Sequence, residues 1–316
     1  MDNLPVENRT TENPGEQTVA TRSTGVGGGQ RLLTRRRVLT AAAASIASLG
    51  AYAWRIEPRW IETVRRSLPI ANLPEGLDGA TLVQLSDLHV GPHVEDAYIE
   101  RVFDLVRSVS PEIVVYTGDF VSYDTNVKGN AANVLARPVL GRKGTFGVLG
   151  NHDYGGNWRD STVADRVTKL MEEGGVRILR NEVAECEGLA IGGLDDIWSR
   201  RFQPDAVLPA LGKQPARLAL VHNPDAADRK GWQGYSGWIL AGHTHGGQCK
   251  PPFLPPPLLP VRNRRYTAGD FDLTGDRRLY ISRGVGHTFR VRFNVRPEIT
   301  FFRLESAPRV FPGEAV

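Results

Sequence analysis

The segment GHTHGGQ at 242–248 sets His243 and His245 one residue apart among small neighbours, directly after the apolar run SGWILA at 236–241. Imidazoles in that spacing, with little bulk around them, suit a place where the backbone comes close to something that takes nitrogen donors. The same grammar recurs upstream. TLVQLS (81–86) runs into Asp87-Leu88-His89, EIVVYT (112–117) into Gly118-Asp119, GTFGVL (144–149) into Gly150-Asn151-His152-Asp153, and ARLALV (216–221) into His222. Asp87, Asp119 and Asn151 follow one another at intervals of 32 residues, and five of the seven histidines fall at these apolar-run ends. One such histidine alone would be read as a surface or satisfied core residue. All five ends together point to a metal centre of mixed carboxylate, amide and imidazole donors.

Donors this scattered need a frame to bring them together. EDAYIERVFDLVRSV (95–109) carries Ile99, Val102, Phe103 and Val106 at helical spacing, and Ser110-Pro111 closes that helix. Strand, helix and strand at these lengths read as βαβ units, with right-handed crossovers and parallel strands. In an open α/β sheet, ligands bind outside the carboxyl ends of the strands, where these residues fall.

In combination and in this order, D-x-H, G-D, G-N-H-D, a lone His and G-H-x-H resemble the calcineurin-like metallophosphoesterase superfamily over roughly residues 80–305. LRNE (179–182), GGLDD (192–196), HNPD (222–225) and LYISRG (279–284) are similar to an exported bacterial phosphodiesterase branch with twin-arginine signals, whose members are implicated at the cell envelope. The resemblance implies a four-layer α/β/β/α sandwich, and RVRFNV (290–295) and EITFFRL (298–304) alternate as strands of its second sheet would. It also implies two divalent metal ions, Mn, Fe or Zn. Asp87, His89 and His245 would hold one, Asn151, His222 and His243 the other, and Asp119 would bridge them. Such a pair clamps a phosphoryl oxygen and activates water. His152 would face the substrate as general acid or charge stabiliser. Asp153 would orient it through the other ring nitrogen, or else serve as an N-cap or loop hydrogen bond.

The N-terminal region is of another kind. Residues 1–33 are polar and read as a disordered leader. Thr34-Arg35-Arg36-Arg37-Val38-Leu39 resembles a twin-arginine export signal, with Val38 where Phe is preferred, and AYA at 51–53 has the form of a cleavage site. Residues 34–54 are therefore expected to be that signal, or an uncleaved membrane anchor. Residues 55–79 would connect it to a metallophosphoesterase domain at 80–308, leaving a tail at 309–316. The net charge is +4, half of it in the first 53 residues, which is too little for a nucleic-acid footprint. Cys186 and Cys249 are expected to remain unpaired.

PPFLPPPLLPVRNRRY (251–266), with six prolines and Arg262, Arg264 and Arg265, reads as a packed surface loop or as a lip over the site. In the second case it would offer an apolar face to acyl chains or a membrane and arginines to phosphate. Tyr154, Asn157 and Trp158 are candidate pocket residues. The expected substrate is a phosphodiester or a lipid-linked phosphoester at the envelope, and the expected partners are the twin-arginine machinery and a membrane surface. A DNA-repair-type nuclease and a non-catalytic metal-binding scaffold are the alternatives.

Overall fold

The parallel strands expected from the apolar runs form, and they divide between two sheets. The computed structural model describes residues 34–122 and 130–307; the expected leader and tail lie outside the described residues. The strands are β1 (Glu62–Ala71), β2 (Thr81–Leu85), β3 (Ile113–Thr117), β4 (Gly144–Val148), β5 (Arg177–Ile178), β6 (Glu182–Cys186), β7 (Leu189–Gly193), β8 (Ala216–Leu220), β9 (Gly237–Ala241), β10 (Gly269–Leu273), β11 (Arg277–Ile281) and β12 (Glu298–Ala307). One sheet has the order β1-β12-β2-β3-β4-β5 and the other β10-β11-β9-β8-β7-β6. Pairing is parallel along β2-β3-β4 and along β7-β8-β9.

Alternation within the strands builds the layers. In β3 every residue is buried, and the run is β-branched or aromatic, as suits a strand covered on both faces. Val114 and Tyr116 face one way, packing with Val83 and Leu85 of β2 against helices α2 (Asp96–Arg107) and α4 (Ser161–Glu173). Ile113 and Val115 face the other way, meeting Leu189, Ile191, Leu218 and Leu240 of the second sheet. On the far side of that sheet, Val207, Leu208 and Leu211 of a third helix, α5 (Pro204–Leu211), pack on Ala219 and Ile239. The result is helix, sheet, sheet, helix, with α3 (Asn130–Leu135) a further short helix.

Local signals start the helices. Asp160 caps α4 by accepting a hydrogen bond from Thr162 N at 2.9 Å. Helix α2 buries Tyr98, Ile99, Val102, Phe103 and Val106, each contributing about 1.5–3 kcal/mol.

Three expectations are corrected. EITFFRL forms β12 in the first sheet, antiparallel to β2 and parallel to β1, so it does not belong to the second. Residues 290–295 make only an isolated bridge, Phe293 to Cys249. β1 lies inside the span read as a connecting segment, so the sheet begins before residue 80. Both cysteines are free, as expected.

The chain divides into units Met1–Ser45 and Ile46–Val316. Helix α1 (Arg35–Ala51), which begins at the arginine run, is exposed throughout. Among the described residues no helix is long and apolar enough to cross a membrane.

Candidate metal centre

The strand ends converge. Asp87, His89 and His245 form one cluster of donor atoms and Asp119, His222 and His243 another; His89, Asp119 and His152 form a third that overlaps both. His245 Nε2 lies 3.3 Å from Asp87 Oδ1 and 3.1 Å from His89 Nε2. His222 Nε2 lies 3.1 Å from Asp119 Oδ2 and 3.1 Å from His243 Nδ1. Asp119 Oδ2 is also 3.5 Å from His89 Nε2, so this carboxylate joins the two clusters. Asp119, Asn151, His152, His243 and His245 line one cavity of about 370 Å³.

The local backbone is bent to achieve this. Asp87, His89, Asp119, His243 and His245 all have φ between 49° and 71°, the left-handed region, at a cost of roughly 1–3 kcal/mol each. Such strain persists only where surrounding packing enforces it. Gly242 shows why GHTHGGQ is so poor in side chains: a Cβ there would lie 2.5 Å from Asp87 Oδ2 and would overlap the Ser86 hydroxyl.

Hydrogen bonds fix which nitrogens face inward. His222 Nδ1–H donates to the Thr117 carbonyl at 2.7 Å, leaving Nε2 for the cluster. His243 does the reverse, donating Nε2–H to the Pro260 carbonyl at 2.9 Å and turning Nδ1 inward. Burial, with the neighbouring cations, holds His89 and His245 well below the ordinary imidazole range and His243 at about 3. At His222 burial acts the same way but is overcome by Asp119, Asp87 and Asp196, which carry it up to about 10. Burial likewise opposes ionisation of Asp119, yet His222 and His152 hold it well below the usual carboxylate range. Burial pushes Asp87 up to about 6.

The donor set fits a divalent cation. Asn151 is fully buried, and among the described residues neither atom of its amide has a hydrogen-bond partner. An orphaned buried amide costs about 1–3 kcal/mol, and a cation at its oxygen removes much of that cost. His89, His243 and His245 are held neutral beside the ionised Asp119, as ligation requires, whereas His222 must give up a proton to bind a cation.

Of the two roles expected for Asp153, the loop hydrogen bond is the one that forms. Its Oδ2 accepts from Gly150 N at 2.8 Å and its Oδ1 from Val121 N at 3.2 Å. The carboxyl therefore pins two strand-end loops together, one of which carries His152. His152 itself is half-buried on the cavity wall, its ring 4.9 Å from that of His89 and its amide N–H donating to Asp119 Oδ1. Trp158 lines the cavity, as expected. Tyr154 and Asn157 do not: the Tyr154 hydroxyl is buried against Asp195 at 2.5 Å, and the exposed Asn157 caps the Arg159 amide.

Residues outside the expected set also take part. Trp198 stacks on Trp158 at 4.7 Å and packs edge-on against His243 at 4.6 Å. Asp196, pushed up to about 6 by burial, sits near enough to His222 to feel its charge. Both follow the end of β7, so the rule used for the other strand ends would have found Asp196. No local signal marks Trp198.

A model of the family described as calcineurin-like phosphoesterase matches residues 80–247, more than half of the chain. The chain is 34% identical to the uncharacterized metallophosphoesterase YkuE of Bacillus subtilis over 81% of this chain and 89% of that one. It is 30% identical to the phosphodiesterase YaeI of Escherichia coli, covering 86% of this chain and all of the relative. It is 25% identical to the UDP-2,3-diacylglucosamine pyrophosphatase LpxG of Chlamydia muridarum, over 84% and 95% of the two chains. The chain belongs to the calcineurin-like phosphoesterase family, whose members use divalent metals, and is a hydrolase acting on phosphoester bonds.

Proposed function

We propose that this chain hydrolyses phosphodiester or pyrophosphate bonds of lipid-linked substrates at the cell envelope. Asp87, His89 and His245 would hold one divalent cation and Asn151, His222 and His243 a second, with Asp119 shared. The observation that carries this reading is the convergence of donors from five strand ends, those after β3, β4 and β9 lining one cavity, with Asp119 within 3.5 Å of both histidine clusters. A bound pair of Mn, Fe or Zn ions supplies Lewis acidity toward a phosphoryl oxygen and lowers the pKa of water.

The chain's own groups do the rest. His152, on the cavity wall beside Asp119, would protonate the departing alkoxide, and Asp153 holds the loop that carries it. Asn151 contributes a neutral oxygen, which preserves positive charge for the substrate phosphate. Trp158, Trp198, Leu258, Leu259 and Phe289 give the same cavity an apolar wall suited to a non-polar substituent.

The names of two relatives, a phosphodiesterase and a pyrophosphatase of a diacylated sugar nucleotide, support this substrate class. The pattern Thr34–Leu39 supports export by the twin-arginine machinery. Hydrolysis of bis-p-nitrophenyl phosphate with and without chelator, compared with the monoester, tests the proposal. Chelator-sensitive diesterase activity is expected. A loaded protein with no turnover would indicate a non-catalytic scaffold, and a preference for the monoester would overturn the diesterase reading.

A further inference from the structure

The rim of the cavity is unusually apolar for a surface. Phe253 is 105% exposed, Leu258 70% and Leu254 59%. All three sit on the proline-rich loop that leaves Lys250, whose N–H bonds to Phe293 O. Phe289, half exposed, lines the same cavity as Leu258, and its carbonyl accepts from the Gln248 side chain. The neighbouring Arg290 guanidinium lies 6.0 Å over the ring of Trp54, itself half exposed. Arg292 N bonds to Ala53 O, fixing Trp54 to this edge.

The loop is built to keep its tip outward. Arg264 is spent as a brace, donating to the carbonyls of Leu259, Pro256 and Pro257 at 3.0–3.3 Å, and is not available for phosphate. Phe253 holds φ at 64°, a left-handed conformation that a bulky residue adopts only at a cost. That cost maintains a ring in water, where the hydrophobic effect disfavours it.

We infer that this rim docks the mouth of the cavity onto an anionic lipid bilayer. This deepens the proposed function by stating how a lipid-linked phosphoester reaches the centre. Single apolar side chains projecting from a stiff loop suit insertion among acyl chains better than a flat protein interface. An indole beneath a guanidinium suits the headgroup layer, where one end is apolar and the other meets phosphate. Lys250 and Arg55 are exposed and supply cationic charge toward an anionic surface, whereas the Arg290 guanidinium is ion-paired with Glu95. Phe253 and Leu254 would then lie deepest, with the cavity opening just behind them.

Co-sedimentation of the full chain with vesicles tests this, using phosphatidylcholine alone or with about a quarter phosphatidylglycerol. Binding to the anionic vesicles is expected, and the Phe253→Ser/Leu254→Ser variant should lower the partition ratio roughly tenfold or more. Neither residue lines the cavity, so hydrolysis of soluble bis-p-nitrophenyl phosphate should be unchanged; the single Phe253→Ser variant, altering a fully exposed side chain, repeats the comparison with less perturbation. Failure of the wild type to bind either vesicle, or equal binding by both variants and the wild type, would overturn the inference. Loss of soluble-diester turnover in the wild type would instead sink the catalytic reading, with the vesicle result still deciding the docking surface.

Discussion

Replacing Asp153 by Asn separates two ways in which this carboxyl could serve the site. Its two oxygens accept backbone N–H groups of Gly150 and Val121, which belong to the loops after β4 and β3, and the side chain is fully buried. Burial and the nearby Asp119 push its pKa up to about 8, against the two backbone N–H donors, which favour the charged form. The substitution changes acceptor capacity. Asparagine offers one oxygen, and its NH₂ then opposes the second backbone N–H.

One buried unsatisfied donor costs about 1–3 kcal/mol. In a domain of this size that lowers the thermal midpoint by roughly 2–4 °C per kcal/mol. Asp153→Ala leaves both donors unpaired and should cost about twice as much. Differential scanning calorimetry on wild type and both variants reads the order directly. The loops also carry Asp119, Asn151 and His152, so metal content should fall along with the midpoint. A variant Asp153→Asn with an unchanged midpoint and full metal content, but a collapsed kcat, would refute the loop-pinning argument and restore a direct role on the His152 ring.

Four further outcomes are expected. His152→Ala should keep metal content near that of the wild type while turnover falls by ~10²–10⁴, the usual scale of general acid catalysis; undiminished turnover would remove His152 from the mechanism. Asp119→Ala should deplete metal from both clusters, since its Oδ2 approaches His89 and His222 alike, and elemental analysis showing loss from one alone would contradict a shared carboxylate. His222 is raised to about 10 and so carries a proton at pH 7.5, whereas His243 at about 3 does not. Ligation therefore releases about one proton and strengthens as pH rises toward 10, which titration calorimetry in buffers of different ionisation heat measures; zero release would be contrary. Ala53 is buried in a π-helical turn and its carbonyl accepts from Arg292 N, so if the chain is exported folded, residues 34–53 should be retained, and intact mass showing a start at Trp54 would contradict that.

Much of the centre was legible in the sequence. An apolar run of five or six residues ending in Asp, His or Asn announces both a buried strand and the side chain at its tip, and β2, β3, β4, β8 and β9 lie where those runs lie. Helix α2 was readable from the spacing of Ile99, Val102, Phe103 and Val106. These are local signals: the period of a strand or helix is written in neighbouring residues, and the carboxyl end of a parallel strand is a binding position wherever the strand occurs.

Tertiary structure decided the rest. Alternation in 298–304 marks a strand but not its partner, and only pairing with Glu62–Ala71 and Thr81–Gln84 put β12 in the first sheet. A carboxylate beside a histidine in sequence can reach many groups. Asp153 bonds to Val121 and Gly150 because the β3 and β4 loops pass there. The left-handed turns at Asp87, His89, Asp119, His243 and His245, and the Trp158–Trp198 stack, likewise depend on segments far apart in the chain. Residue types and local periods name the donors; which backbone and side chains meet them depends on contacts between distant segments, which no local period encodes.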